Sequence, residues 1–275
     1  MKELSSGRQV LIAAHRGTAG GNIPCNTLVS YELALHDGAD IIELDVAKSR
    51  DGALFCFHPG MEHVMYADPT PIAKLTAAEA ARRHLRNQDL EETVYTAPYL
   101  DEAFEILKNR CLIAVDKFWI AVPEISDCIR RHGLQEQVLC KIPDRSGHYE
   151  AAAALAPDLP VLPVIRTEDR STAAPYASGV RIAGVEVLFD REDAPVASRA
   201  YIEQQHRLGR LLWVNPIVYK RDAVLTAGHT DDVAVAGNRD YGWGWLIDRG
   251  FDILQTDFTA QLRRYMNGRR NPPIP

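Results

Sequence analysis

The 275-residue sequence lacks the usual marks of secreted, membrane-spanning and nucleic-acid-binding proteins. Its five cysteines are odd in number and form no CxxC pair, so we expect free thiols rather than a disulfide framework or a zinc site. Its apolar runs, such as AAAALA at 151–156, are far shorter than the roughly 20 residues of a membrane-spanning helix. We therefore expect no stable insertion into a membrane.

An excess of positive charge is also absent. The chain has 31 Lys+Arg against 37 Asp+Glu and a formal net charge of -6, which argues against a nucleic-acid partner. The amino end, MKELSSGRQV, has neither the basic start nor the long apolar centre of a signal peptide, so we expect a cytoplasmic protein. A small-molecule partner remains as the expectation, and the oligomeric state is left open.

Eight short apolar segments alternate with segments of helical spacing. The helical segments 26–38, 126–133 and 200–209 each end in glycine, a residue that commonly terminates helices. This alternation predicts an α/β protein with parallel strands. The count of eight, and the absence of GxGxxG after the first strand, favour a single (β/α)8 TIM barrel over 1–275 rather than an open sheet. The predicted strands are 9–15, 40–47, 111–117, 137–142, 160–166, 183–189, 210–216 and 252–258.

Two segments interrupt the alternation, at about 59–98 and 218–245. Each follows a predicted strand, so both are predicted to lie at the C-terminal mouth of the barrel, where active sites of this fold are built. The second segment contains Tyr241, Trp243 and Trp245. The sequence leaves open whether these aromatic residues form a lid or anchor the insertion.

The second strand carries a pair of acids. Alternation places Glu43 and Asp45 on the same face, where two like charges require a cation or solvent; Ca²⁺ or Mg²⁺ would suit their oxygen ligands. The Asp51-Gly52 pair predicts a β-hairpin after this strand, and a two-residue turn there sets His58 opposite Asp45.

Polar residues also end two other strands. His15-Arg16-Gly17 closes the first and is typical of an anion site. Asp116 follows five apolar residues and is difficult to explain as part of a core.

These motifs resemble the glycerophosphodiester phosphodiesterase family, whose pattern runs HRG, PENT, GAD, ExDV, DG and H. The likeness is strong over residues 9–58, weak in the middle of the chain, and returns in ILQTDF at 253–258. It implies a TIM barrel that uses one divalent cation to split a phosphodiester. The matching residues are His15-Arg16-Gly17, Pro24-Cys25-Asn26-Thr27, Gly38-Ala39-Asp40, Glu43-Leu44-Asp45-Val46, Asp51-Gly52 and His58.

By this resemblance, the metal ligands are Glu43, Asp45 and Asp116. Arg16 becomes the phosphate clamp, and His15 and His58 become the acid/base pair. We assign His58 as the general acid and His15 as the base, and the reverse order stays open. The metal is Mg²⁺ or Ca²⁺.

The sequence departs from the family at several positions. Asp116 stands where a glutamate is usual, Phe118 replaces a lysine, and Cys25 replaces the glutamate of PENT. Lys117 or Lys141 would then supply the missing charge. Since strand alternation turns Lys117 away from Asp116, we predict Lys141 as a substrate-binding residue, and a surface lysine that snorkels at a strand end accounts for it equally well.

Trp213, with Asn215 beside it, resembles an aromatic lining that some members place against the substrate alcohol. It is a substrate-binding candidate, and a core position accounts for it equally well.

The expected activity is hydrolysis of a glycerophosphodiester-like substrate to an alcohol and a phosphomonoester, which is glycerol 3-phosphate for the usual substrate. Asp116 and the atypical segment after His58 keep open a sphingomyelinase D-like lyase that yields a cyclic phosphate. Cys25 and Phe118 keep open a barrel that binds phosphodiesters without turning them over.

Overall fold

The computed structural model describes residues 10–145, 147–166, 179–218, 220 and 222–270. The strands are β1 (Leu11–His15), β2 (Ile41–Lys48), β3 (Leu54–Cys56), β4 (His84–Arg86), β5 (Glu92–Thr96), β6 (Leu112–Asp116), β7 (Val138–Pro143), β8 (Pro160–Ile165), β9 (Arg181–Ile182), β10 (Gly184–Val187), β11 (Leu211–Val214) and β12 (Ile253–Thr256). The α-helices are α1 (Leu28–His36), α2 (Glu62–Met65), α3 (Ala77–Ala80), α4 (Leu100–Leu107), α5 (Val122–His132), α6 (His148–Leu155), α7 (Arg199–Arg207), α8 (Asp231–Val235), α9 (Trp245–Arg249) and α10 (Thr259–Arg270).

Eight of the strands form a closed parallel barrel, in the order β1-β2-β6-β7-β8-β10-β11-β12 and back to β1. The predicted TIM barrel is confirmed. Six of the eight predicted strand segments contain one of these strands, and the other two, 40–47 and 137–142, end one residue before β2 and β7 do. None of the described helices combines the length and apolar character needed to cross a bilayer.

Glycine ends the helices where the sequence predicts it. Gly38, Gly133 and Gly209 all have a positive φ, 92°, 68° and 72°, which a residue without a Cβ adopts at little cost. At the other end of α1, the Thr27 side chain accepts a hydrogen bond from the Ser30 amide and so caps the helix.

The barrel interior has an apolar floor made by alternate residues of the strands. These side chains pack together as one cluster, separate from the two clusters that lie between the strands and the helices. Since successive strand residues point to opposite faces, the residues two positions further along each strand also face inward, nearer the C-terminal mouth. The floor consists of Leu11, Ala13, Ile41, Ala114, Leu139, Leu162, Ala183, Trp213 and Ile253.

The predicted hairpin after β2 is present, but its predicted register is wrong by one residue. Val46 pairs with Cys56, and the Ser49 amide donates to the Ala53 carbonyl, so the loop has three residues rather than two. Gly52 donates to the Ser49 carbonyl and has a φ of 94°, the geometry of a type I turn followed by a bulge. Asp45 therefore lies opposite Phe57, and His58 begins the following segment.

The two interrupting segments have structure of their own. Segment 59–98 holds α2, α3 and a hairpin, β4–β5, that forms a separate two-stranded sheet. In segment 218–245, Trp243 donates to buried Asp231 (2.6 Å) and the Trp245 ring stacks on His229, with centroids 4.0 Å apart. Both tryptophans therefore anchor the second segment.

Gly184 marks a close approach between β10 and its neighbour. A Cβ on Gly184 would lie 2.5 Å from the Leu211 carbonyl oxygen. We expect Gly184→Ala to lower the free energy of unfolding by about 1–3 kcal/mol, because backbone would have to move. The matched control is Gly268→Ala in α10, where no atom lies within 4 Å and where alanine should stabilise the helix by about 0.5–1 kcal/mol. Urea unfolding measures both, and equal stabilities would contradict the packing at Gly184.

Candidate active site

Polar side chains form the layer above the apolar floor. Two positions after the floor residues Ala13, Ile41 and Ala114 come His15, Glu43 and Asp116. His15 and Asp116 are the last residues of β1 and β6, and Glu43 lies between them on the longer strand β2. Strand register sets His15 beside Glu43 and Asp45 beside Asp116. Three adjacent strands thus bring four polar side chains to one point of the mouth.

Glu43, Asp45 and Asp116 form a compact carboxylate cluster. Each contributes one oxygen, and these oxygens lie within 4.8 Å of one another. Glu43 and Asp45 are almost fully buried, at 1% and 0% exposure, whereas Asp116 is partly exposed. Burial raises the pKa of Glu43 to about 6 despite the opposing charge of Lys141. Burial acts in the same direction on Asp45, but the charges of Arg16 and Lys117 outweigh it and hold the pKa of that carboxyl below its usual value.

Arg16 joins the cluster through both its backbone and its side chain. Its amide donates to Glu43 Oε2 (3.0 Å), and its Nε lies 2.9 Å from Asp45 Oδ2. The backbone can turn this way because Arg16 and Gly17 both have a positive φ, 58° and 78°. A Cβ on Gly17 would lie 2.6 Å from Ser30 Oγ, so the turn needs glycine at that position.

The two histidines lie on either side of the cluster. His15 Nδ1 is 2.8 Å from Asp257 Oδ1, which makes Nδ1 the donor and leaves Nε2 to exchange a proton. His58 Nε2 lies 3.9 Å from Asp45 Oδ1, so the predicted proximity of these side chains is present although the predicted register is not. Burial lowers the pKa of His58, with Asp45 opposing the shift.

The prediction that Lys117 points away from Asp116 is wrong. Its Nζ lies 2.8 Å from Asp116 Oδ2 and 3.4 Å from Asp45 Oδ1. Alternation fails here because β6 ends at Asp116 and Lys117 has a left-handed backbone, with φ 61°. Lys117 therefore supplies a cation at the cluster, one residue before Phe118, which is buried in the core.

Lys141 also reaches this layer, from β7. Its Nζ lies 2.8 Å from Glu186 Oε2 and 3.9 Å from Glu43 Oε1, and it donates to Gln255 Oε1 (3.2 Å). Two nearby carboxylates stabilise the ammonium even though the side chain is almost fully buried, and they raise the pKa of Lys141 against the effect of burial.

Trp213 does not have the position expected of a substrate-binding residue. It is fully buried in the apolar floor, and its Nε1 donates to Asn215 Oδ1 (2.8 Å) and Gln255 Oε1 (3.1 Å). Its ring lies under Lys141, with Nζ 5.1 Å from the centroid. The tryptophan thus supports polar residues that face the mouth, and it is Asn215, two positions later, that reaches the cavity.

Several residues of the site were not predicted. Asn26, with a φ of 55°, donates to Asp45 Oδ2 (3.0 Å) and accepts from the Asp45 amide and the Tyr31 hydroxyl. Asp257 orients His15, and its own amide donates to buried Asp231 (2.9 Å). For Asp257 a signal existed, since it follows β12 at a strand end; for Asn26 the sequence offered none beyond the motif.

Two cavities meet at His15 and Arg16, which line both of them. The first, of about 450 Å³, is also lined by Glu43, Asp116, His58 and both lysines. The second, of about 640 Å³, extends away from the cluster towards the β4–β5 hairpin, and half-buried Cys25 lines it. A substrate with two unequal parts could therefore be held with its reacting atoms beside His15.

The Lys141–Glu186 pair can be tested by its effect on stability. We expect Lys141→Met to lower the free energy of unfolding by about 3–5 kcal/mol, because Glu186 and Glu43 would remain buried without their cation. The double variant Lys141→Met/Glu186→Gln should recover part of this loss. Urea unfolding at neutral pH is the measurement, and a single variant as stable as the parent would show that the pair contributes little.

Comparison with known proteins divides the chain into two matched parts. Residues 15–159 match the sequence model of the glycerophosphoryl diester phosphodiesterase family, and residues 159–266 match a domain of unknown function. A glycerophosphodiester phosphodiesterase of Bacillus altitudinis is 34% identical over 128 residues, 46% of this chain and 50% of the relative. The chain thus spans about half the length of that relative.

Solved structures match over nearly the whole chain. A glycerophosphoryl diester phosphodiesterase from Parabacteroides distasonis has a TM-score of 0.78 and 18% identity, over 96% of this chain and 88% of its own. A phosphodiesterase from Oleispira antarctica, solved in complex with the product sn-glycerol-3-phosphate, has a TM-score of 0.64 and 18% identity, over 94% and 96%. At this identity the structures show the shared fold. Together with the match over 15–159, more than half of the sequence, they complete the assignment: the chain belongs to the glycerophosphoryl diester phosphodiesterase family.

Proposed function

We propose that this protein forms one TIM-barrel domain that hydrolyses a glycerophosphodiester to an alcohol and a phosphomonoester, with the help of a divalent cation. The observation that carries the proposal is a cluster of three carboxylates, two of which line the first cavity together with Arg16 and both histidines. The family assignment supports it, as does the product found in the Oleispira relative. The five free cysteines are consistent with a reducing compartment such as the cytoplasm.

The carboxylate cluster fits a hard divalent cation. All three groups offer oxygen, the ligand atom that Mg²⁺ and Ca²⁺ prefer, and Asp45 Oδ1 is buried with no hydrogen-bond partner among the described residues. Glu43, Asp45 and Asp116 would hold the ion. When bound, a divalent cation polarises a phosphate oxygen and offsets charge that develops on phosphorus.

Positive side chains around the cluster would bind the remaining phosphate charge. Arg16 is held at the junction of the two cavities by its contacts with Glu43 and Asp45, so its guanidinium lies where a phosphate would bridge them. Lys117 and Lys141 line the first cavity as well. The geometry supports Lys117 and Lys141 sharing the role first given to Lys141 alone.

The cavities suggest how the histidines divide the work. His58 lines the first cavity and not the second, whereas His15 lines both. If the larger second cavity takes the departing alcohol, His15 is placed to protonate it and His58 to accept a proton from the nucleophile in the first cavity. This order is the reverse of the one assigned from the sequence. Asp257 would keep His15 oriented with Nε2 towards the reaction.

The identity of the nucleophile separates two possible products. Water gives an open phosphomonoester, whereas a neighbouring hydroxyl of the substrate gives a cyclic phosphate, as in a sphingomyelinase D-like lyase. Asp116, a carboxylate shorter than the usual glutamate, motivates the second reaction. Phosphorus NMR of the products distinguishes the two.

Dependence on metal can be tested with a ligand variant. A chelator should abolish hydrolysis, and Mg²⁺ or Ca²⁺ should restore it. Asp116→Asn should weaken binding of the ion by at least about tenfold, since one anionic ligand is lost. The matched control, Asp193→Asn, changes a carboxylate that is 82% exposed and should bind the ion normally. Calorimetric titration measures the affinity, and hydrolysis that survives exhaustive chelation would refute the metal requirement.

The role of His58 has a similar test. We expect His58→Ala to lower kcat/KM for a glycerophosphodiester by about a hundredfold or more, because one proton transfer loses its catalyst, while binding of the metal is retained. His63→Ala on α2 provides the control, since this exposed histidine lines neither cavity. Unchanged turnover by His58→Ala would remove this residue from the mechanism.

A further inference from the structure

The second cavity has a chemistry of its own. Apart from His15 and Arg16, its lining residues are absent from the first cavity and come from the 17–25 loop, helix α2, the turn of the β4–β5 hairpin and the segments after β11 and β12. Its volume of about 640 Å³ lies within the range of small-molecule sites. It is thus large enough for an alcohol bulkier than glycerol.

About half of the lining is apolar, and part of this apolar surface is exposed. Leu90, at the turn of the hairpin, is 46% exposed, and Val218 is 39% exposed. Exposed apolar side chains on the wall of a cavity lose contact with water when a ligand covers them, so they favour a ligand with a carbon frame. The larger apolar side chains of the lining are Ile23, Val64, Met65, Leu90, Val218 and Phe258.

Arg86 is a cation of this lining that the first cavity does not share, and the same lining holds an exposed carboxylate, Asp232. The cations of the first cavity are all paired: Arg16 with Asp45, Lys117 with Asp116 and Lys141 with Glu186. Arg86, at the end of β4, has no carboxylate within 4.0 Å among the residues that the structure describes, although Glu92 is its partner in the strand register. Its positive charge is therefore available to a ligand.

The other polar groups of the wall are engaged or exposed. Asn87 Oδ1 accepts from the amides of Asp89 and Glu91, and its Nδ2 donates to Asn22 Oδ1 (3.1 Å), which fixes the hairpin turn beside the loop. Asp257 is held by His15, and Asp232 is exposed. Arg86 therefore precedes a turn whose backbone is held by the hydrogen bonds of Asn87.

We propose that the second cavity binds the alcohol part of the phosphodiester, and that Arg86 selects alcohols that carry an anionic group on their carbon frame. This inference rests on the proposed hydrolysis and adds the class of alcohol. An anion beside an unpaired guanidinium gains a charge-assisted hydrogen bond, whereas a cationic alcohol such as choline meets a like charge. A phosphate or a carboxylate would satisfy the same group.

The test uses two substrates that differ by one phosphate, glycerophosphoinositol and glycerophosphoinositol 4-phosphate. The parent protein should have a higher kcat/KM for the phosphorylated substrate. Arg86→Gln should lower kcat/KM for that substrate by about tenfold, the loss of one charge-assisted hydrogen bond, and leave the neutral substrate within about twofold. The control is Arg82→Gln, an exposed arginine of the same insertion that lines neither cavity, and it should change neither value.

A binding measurement separates failure of this proposal from failure of the proposed hydrolysis. Calorimetry with myo-inositol 4-phosphate and myo-inositol should show preference for the phosphorylated alcohol in the parent, lost in Arg86→Gln, whether or not either diester is turned over. An equal response of both substrates to Arg86→Gln, or no preference for the anionic alcohol in either assay, would overturn the proposal. Absence of hydrolysis with the binding preference intact would overturn the hydrolytic function alone.

Discussion

The burial of Glu43 and Asp45 is the constraint on which the rest of the site depends. Two carboxylates withdrawn from water at the same point of a barrel repel one another, and each loses its hydration. Hydrogen bonds from the Arg16 amide and the Asn26 side chain replace part of the lost hydration. The positive charges of Arg16, Lys117 and Lys141 offset the repulsion. In the proposed reaction, charges fixed in this way would need little reorganisation to bind a phosphate, and such preorganisation is the largest source of catalytic power in many enzymes.

The two matched parts of the sequence meet in this site. The part that matches the phosphodiesterase family carries the carboxylates and both histidines, whereas the part that matches a domain of unknown function carries Glu186 and Asp257. Glu186 pairs with Lys141, and Asp257 pairs with His15. β12, in the second part, pairs with β1 and closes the barrel. This pairing brings Asp257, which follows β12, beside His15 at the end of β1.

The fold and the outline of the site were predictable because strands have a period of two. The same alternation that makes Ile41 part of the floor brings Glu43 and Asp45 into the mouth, and it can be read without a structure. Where the backbone leaves the regular strand, alternation no longer predicts the direction of a side chain. Lys117 turns back to the cluster because its own backbone is left-handed, and the hairpin loop has three residues, 50–52, where the Asp-Gly pair predicts two.

Other features depend on contacts between distant segments. Asp257 lies 242 positions from His15, so their pairing needs the closed barrel, which sequence patterning alone does not supply in atomic register. Trp213 is a second example. Strand alternation predicts that its side chain points into the barrel, but not that it lies in the apolar floor rather than at the mouth. Its level in the barrel is set by the register of β11 against β12, which places Trp213 beside the floor residue Ile253.

Among the described residues, the β4–β5 hairpin forms its own two-stranded sheet and shares no ladder with the barrel. Leu85 of β4 packs in one cluster with Ala47 of β2, whereas the turn is closed by local hydrogen bonds of Asn87. The turn can therefore change in sequence without shifting the register of β2. If the proposed function holds, sequence variation in this segment would change which alcohols the second cavity binds and would leave the carboxylate cluster unchanged.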